Sequence, residues 1–153
     1  MFRNVLTNDL VNELIEIGQF EVKYFKCNNV WGHQSFADMN KKYAHVKSVS
    51  DLVTILESLY RITFNKHCEV AKLWFNIVKQ DSEGYDWHTH SNTTAIYYLF
   101  NTENSGTLID NEKVHQVDSI DNSLLFLQPN IKHKVPLDWK GKDRMTIAIN
   151  FND

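Results

Sequence analysis

A chain of 153 residues has room for one domain with a real hydrophobic core, and too little for two of ordinary size, so a single site is expected. With 42% hydrophobic and 23% charged residues the composition is that of an ordinary globular protein, and no apolar run approaches the ~20 residues of a membrane span, so no membrane partner is expected. The formal charge is −3 and the lysines and arginines are scattered rather than striped, which gives no electrostatic footprint for nucleic acid.

Met1 to Leu6 runs directly into polar Thr7-Asn8-Asp9, without the unbroken apolar stretch of a secretory signal, and the expected setting is cytoplasmic. Cys27 and Cys68 lack metal-ligand spacing and are expected to be reduced and structural. Thr7 is placed to cap a helix whose Leu10, Val11, Leu14 and Ile15 share one face and which stops near Gly18. The segment from Tyr24 to Tyr43 fits neither helical nor strand periodicity. Its Trp31-Gly32-His33-Gln34 reads as loop, either an ordered connection packed by Trp31 and Phe36 or a lid. Ser48 or Ser50 is placed to cap a second helix, with Leu52, Val53, Leu56, Leu59 and Tyr60 at helical spacing.

From Glu69 onward runs of aromatic and β-branched residues alternate with turn residues, which is the signature of successive short strands. They are expected at Val70 to Lys79, Thr94 to Phe100, Thr107 to Asp110, Ser123 to Leu127, His133 to Pro136 and Met145 to Phe151. Strands without intervening helices argue for an antiparallel sandwich or barrel rather than a βαβ fold. The expected fold class is therefore α+β and mainly β: one domain over residues 1–153, in which a helical N-terminal region (residues 1–68) buttresses a jelly-roll core (residues 69–153).

Within Gly84-Tyr85-Asp86-Trp87-His88-Thr89-His90, residues two apart on an extended strand project from one face, so His88 and His90 can direct two imidazoles at one metal. A solvated or core-satisfied pair would have the same spacing. His133 enters a later strand after Pro129-Asn130, and a jelly roll returns such a residue to the pair, completing a facial triad with three positions open. Open positions mean catalysis or substrate chelation, since a closed structural zinc needs a fourth protein ligand. Arg144 heads the apolar strand Met145 to Phe151. Pointing inward it calls for a carboxylate partner such as a dicarboxylate ligand, whereas at a solvated strand end it would pair with Asp138 or Asp143.

Taken in order, His88-x-His90, Ala95-Ile96-Tyr97-Tyr98-Leu99, Ser105-Gly106-Thr107-Leu108, Leu124-Leu125-Phe126, His133-Lys134-Val135 and Arg144-Met145-Thr146 with Asn150 resemble the catalytic core of the Fe(II)/2-oxoglutarate-dependent oxygenases. The likeness is to prolyl-hydroxylase-like and small bacterial or phage-type members, and it spans Trp74 to Phe151. It implies a double-stranded β-helix, Fe(II) as the metal, and 2-oxoglutarate and O2 as cosubstrates for hydroxylation of a further substrate that the sequence does not identify. It also implies metal ligation by His88 and His133, with His90 as the third ligand. Arg144, Tyr98 and Thr146 would hold the far carboxylate of 2-oxoglutarate, and Trp74, Asn76, Leu108 and Val135 are candidates for the pocket wall.

The chain departs from the family at His90, where most members carry Asp or Glu. Three neutral imidazoles would leave a bound ion its full +2 charge. A shifted pair of Asp86 and His88 is the second arrangement to weigh. Two other readings stand beside the first: a cupin-like three-histidine protein, whose usual downstream Glu is missing from Ser91-Asn92-Thr93-Thr94-Ala95, and a non-catalytic jelly-roll binding domain.

Overall fold

The computed structural model describes residues 1–27, 30–79, 86–100, 105–136 and 143–153, with backbone alone for 24–27 and 30–32. In chain order the elements are β1 (Phe2–Arg3), α1 (Asn8–Glu21), β2 (Lys23–Cys27), β3 (Val30–Gln34), α2 (Met39–Lys42), α3 (Lys47–Phe64), β4 (Val70–Val78), β5 (Thr94–Phe100), β6 (Thr107–Asn111), β7 (Lys113–Val117), β8 (Ser123–Leu127), β9 (Lys132–Lys134) and β10 (Arg144–Phe151). The strands form two antiparallel sheets, one of seven strands in the order β1-β8-β5-β10-β4-β3-β2 and one of three in the order β7-β6-β9. The fold is thus α+β and mainly β. Among the described residues no helix is long and apolar enough to cross a membrane.

Period-two alternation divides the large sheet into two chemically different faces. On one face Leu73 and Phe75 of β4, Tyr97 and Leu99 of β5, Leu124 of β8, and Ile147, Ile149 and Phe151 of β10 pack against Leu14 of α1 and Leu52, Leu56 and Tyr60 of α3. Burying each such leucine or phenylalanine contributes roughly 1.5–3 kcal/mol. On the other face Ile96 and Tyr98 of β5 meet Ile109 of β6 and Leu125 and Leu127 of β8, closing the space between the two sheets at one end. What remains of that face carries polar and apolar side chains and lines a cavity.

The helices differ from expectation at their ends. Helix α1 runs through Gly18 to Glu21, because Gly18 serves as a contact point and not as a stop: a Cβ there would lie 1.9 Å from Met145 Cε and 2.6 Å from Phe75 Cδ1. Helix α3 begins before Ser48 and Ser50, with Val46 at the cap position. Ser48 is fully buried in the first turn, and its amide donates to Glu13 Oε2 of α1 at 3.2 Å, so a carboxylate from a neighbouring helix satisfies the terminus that a local serine was expected to serve. Asn65 in the left-handed region, at φ 51°, ends α3.

The N-terminal region is also less helical than its sequence suggests. β1 pairs with β8, and β2 with β3 forms a hairpin that extends the large sheet through Gln34 opposite Asn76. Trp31 to Gln34 is therefore strand and not loop. Phe36 is 66% exposed. Strand β7 has no counterpart among the expected strands, because its residues face solvent and show no hydrophobic period. The end of the expected strand Val70 to Lys79 is followed by residues 80–85, which lie outside the described residues, as do 101–104 and 137–142.

Replacing Gly18 with alanine should press a methyl group into Met145 and Phe75 and lower stability by ~1–3 kcal/mol, the usual cost of overpacking. Chemical denaturation measures this; an unchanged midpoint would mean that Met145 swings aside without cost.

Candidate functional site

His88 and His133 are joined by backbone. They form an antiparallel bridge in which His88 N donates to His133 O at 3.1 Å and His133 N donates to His88 O at 3.0 Å. Asn130 N donates to His90 O at 2.8 Å, tying the other end of the pair to the turn before β9. The side chains follow. The ring centroids of His88 and His133 lie 4.4 Å apart, and each is 5.3 Å from that of His90. One nitrogen from each ring falls within 4.8 Å of the others, a cluster that could hold a metal ion. Asp86 lines the same cavity, but its carboxylate is not part of the cluster.

The ring hydrogen bonds decide which nitrogens are available. His88 Nδ1 lies 2.9 Å from Asp86 O, and His133 Nδ1 lies 2.9 Å from Ile131 O. A carbonyl only accepts, so in both rings Nδ1 carries the proton and Nε2 keeps its lone pair. This is the arrangement by which an outer hydrogen bond fixes a ligating imidazole. Burial holds His133 down to about 4, against the raising effect of its bond to Ile131, and with a smaller push from the neighbouring His88 and His90. Burial, then the proximity of His88, also lowers His90. Neutral imidazoles, two of them locked in one tautomer, suit Fe, Zn, Ni or Cu.

Arg144 lines the same cavity and is 2% exposed, which rules out the solvated strand end. Its Nε donates to Ser105 O at 2.7 Å, one terminal nitrogen lies 3.5 Å from Thr107 Oγ1, and Cζ sits 5.4 Å from the centre of the Tyr98 ring. Tyr98 is fully buried, with its hydroxyl 2.5 Å from Thr107 Oγ1. Burial raises the Tyr98 phenol above its ordinary range, while Arg144 beside it pulls the other way. Thr146 stands opposite Tyr98 on β5 and opposite Asn76 on β4, which in turn stands opposite Gln34, so one row of polar side chains crosses four strands.

The cavity measures about 520 Å³. His88, His90, His133, Arg144 and Thr146 line it, whereas Tyr98 is not part of the lining and reaches Thr107, which is. Trp74, Asn76 and Val135 are in the wall and Leu108 is not. Thr107, Gln34, Thr94, Trp87 and Lys134 line it as well, without having stood out in the sequence as site residues. Thr107, Trp87 and Lys134 fall within the stretches that the sequence marks for the site, whereas Gln34 and Thr94 do not. Trp87 is flanked by Lys132 Nζ at 5.8 Å and Lys134 Nζ at 5.0 Å from its ring centre, which holds the histidine pair against β9.

No protein-family model and no curated protein matches the chain. Solved structures do. The non-haem alpha-ketoglutarate-dependent epimerase SnoN from nogalamycin biosynthesis superimposes with a TM-score of 0.76 at 13% identity, over 99% of this chain and 76% of that one. A Pseudomonas putida prolyl-4-hydroxylase does so with a TM-score of 0.69 at 14% identity, over 97% and 89%. HygX from Streptomyces hygroscopicus, solved with nickel and 2-oxoglutarate bound, gives 0.72 at 11% identity, over 97% and 80%. At such identities the likeness is one of fold, which this chain shares with these three proteins.

Because native His133 binds its proton only near pH 4, the unfolded chain carries more protons than the folded one between there and its ordinary 6.5. Stability of the metal-free protein should be complete above about 6.5 and fall as the pH drops toward 4. Thermal melts across this range check it, and His133→Gln should flatten the slope.

Proposed function

We propose that this chain is a non-haem Fe(II) and 2-oxoglutarate-dependent oxygenase, built as one domain on a double-stranded β-helix, that hydroxylates a C–H bond of a peptide, amino acid or small molecule. One observation carries the reading: three imidazoles and a buried arginine line the same cavity. A metal cluster alone would suit a cupin-like protein equally well. The buried guanidinium adds an anion-binding end, which suits a dicarboxylate reaching from the metal.

His88, His90 and His133 would hold the iron, and Arg144 with Thr146 would take the far carboxylate. With 2-oxoglutarate and O2, bound iron supplies oxidation of a C–H bond coupled to decarboxylation of the cosubstrate to succinate and CO2. The work of the chain is placement and exclusion of water. The Nδ1–H bonds to Asp86 O and Ile131 O set the planes of two imidazoles. Ser105 O fixes the direction of Arg144, so no reorientation is required when an anion arrives. Ile96, Ala148, Val135 and Trp74 give the intervening wall an apolar surface that discourages water.

Anaerobic addition of Fe(II) and then 2-oxoglutarate should produce a metal-to-ligand charge-transfer band, and admitting O2 should release succinate. Arg144→Ala should weaken 2-oxoglutarate binding by about 2–5 kcal/mol, as expected when a buried charge partner is removed. His133→Ala should abolish metal retention. Absence of both band and succinate from the parent protein would overturn the proposal.

A further inference from the structure

We propose that Asp153, which is not part of the cavity wall, is a positioning residue for the metal site and acts through His90. The inference rests on the reading of His88, His90 and His133 as metal ligands, and it concerns how the third of them is held in place.

The three imidazoles are not secured alike. Backbone carbonyls fix the Nδ1 side of His88 and of His133, and these two residues also exchange amide hydrogen bonds. Among the described residues no hydrogen bond reaches the His90 ring, which has around it the rings of Trp74, His88 and His133 at centroid distances of 6.3, 5.3 and 5.3 Å. Ring contacts of this kind are weakly directional. The place of the His90 imidazole is therefore set by the backbone that carries it.

That backbone is tied down on both sides. His90 O accepts from Asn130 N at 2.8 Å. Beyond Ser91 the chain is clamped to Asp153: Asn92 Nδ2 donates to Asp153 O at 2.9 Å, Thr93 N to Oδ1 at 3.0 Å and Thr93 Oγ1 to Oδ2 at 2.5 Å. Phe151 N donates to Thr93 O at 3.1 Å, so both backbone groups of Thr93 are engaged by the end of β10 and the residues after it. The ladder between β5 and β10 stops at Thr94 opposite Asn150, and the clamp carries the hold past that point toward His90. With Ser91 alone between His90 and Asn92, the slack is the two soft dihedrals of each residue.

The far side of the carboxylate is anchored too. Tyr60 of α3, 2% exposed, donates to Asp153 Oδ2 at 2.8 Å. Burial pushes the Asp153 carboxyl up, but the hydrogen bonds from Thr93 and Tyr60 outweigh it and hold the group below its ordinary range, so the acceptor is charged and its bonds are of the stronger kind. One side chain thus joins the helical layer to the segment that presents a metal ligand.

The test is titration with Co(II), followed by its visible absorption bands, which report the number and kind of ligands without turnover. Asp153→Ala should weaken Co(II) binding by about tenfold, the lower end of what loss of an outer partner of a ligand costs, and move the bands toward those of His90→Ala. Asp153→Asn keeps the shape and an acceptor for Thr93 N, and should restore both affinity and spectrum. In a His90→Ala background Asp153→Ala should cost nothing further, which a role in general stability would not produce. Thr93→Val removes the hydroxyl bond alone and should shift affinity in the same direction by less, and it carries the test if Asp153→Ala does not fold. Parent-like Co(II) binding by Asp153→Ala and Thr93→Val would overturn the inference, as would an equal loss from Asp153→Ala with and without His90. Failure of the parent protein to bind Co(II) would instead overturn the metal site, and the inference with it.

Discussion

The constraint on which the molecule depends is the two-residue period of three adjacent strands. In β4, β10 and β5, side chains at alternate positions meet the helices, and those between them meet the cavity. Met145, Ile147, Ile149 and Phe151 belong to the core, whereas Arg144, Thr146 and Ala148 on the same strand line the site. The apolar half of each strand secures the register, and the register places the polar half. A slip by one residue would bury Arg144 against the helices and expose Met145 to the cavity, so the hydrophobic pattern that folds the sheet also specifies the chemistry.

The site carries two electrostatic burdens and handles them differently. A guanidinium out of water is costly unless its hydrogens find acceptors and its charge finds a counterpart. Ser105 O, Thr107 Oγ1 and the face of Tyr98 are among the groups that receive it. For the histidines, burial disfavours the protonated forms of His90 and His133, and backbone carbonyls hold the Nδ1 side of His88 and His133. A metal ion held by the three imidazoles would keep its charge undiminished by any protein carboxylate in the cluster.

Much of this was legible from the residues. The strands β5 and β8 fall where the runs of aromatic and β-branched residues place them, because both strands lie inside the sheet and carry strong apolar patterns. The edges were not legible. β7 is exposed along most of its length, β1 has two residues, and β2 and β3 hold few apolar positions of regular spacing, so nothing local distinguished them from loops. For β2 and β3 the one available signal was Asn28-Asn29, a turn-forming pair between two aromatic-bearing runs. In the site, spacing together with the family resemblance singled out His88, His90, His133 and Arg144, while Gln34 depends on which strands neighbour one another. Gln34 faces the cavity only because β3 joins β4 at Asn76, a pairing that no local pattern announces.

The reciprocal amide bonds between His88 and His133 have a consequence for the order in which the protein assembles. Two of the three imidazoles are presented by residues that are direct ladder partners, although 45 positions separate them in the chain. Neither ring can take up its place before that long loop has closed, and when the pair separates both rings leave together. The triad is therefore absent from any incompletely folded chain in which β9 has not docked. An immature or damaged molecule would thus lack the organised histidine cluster.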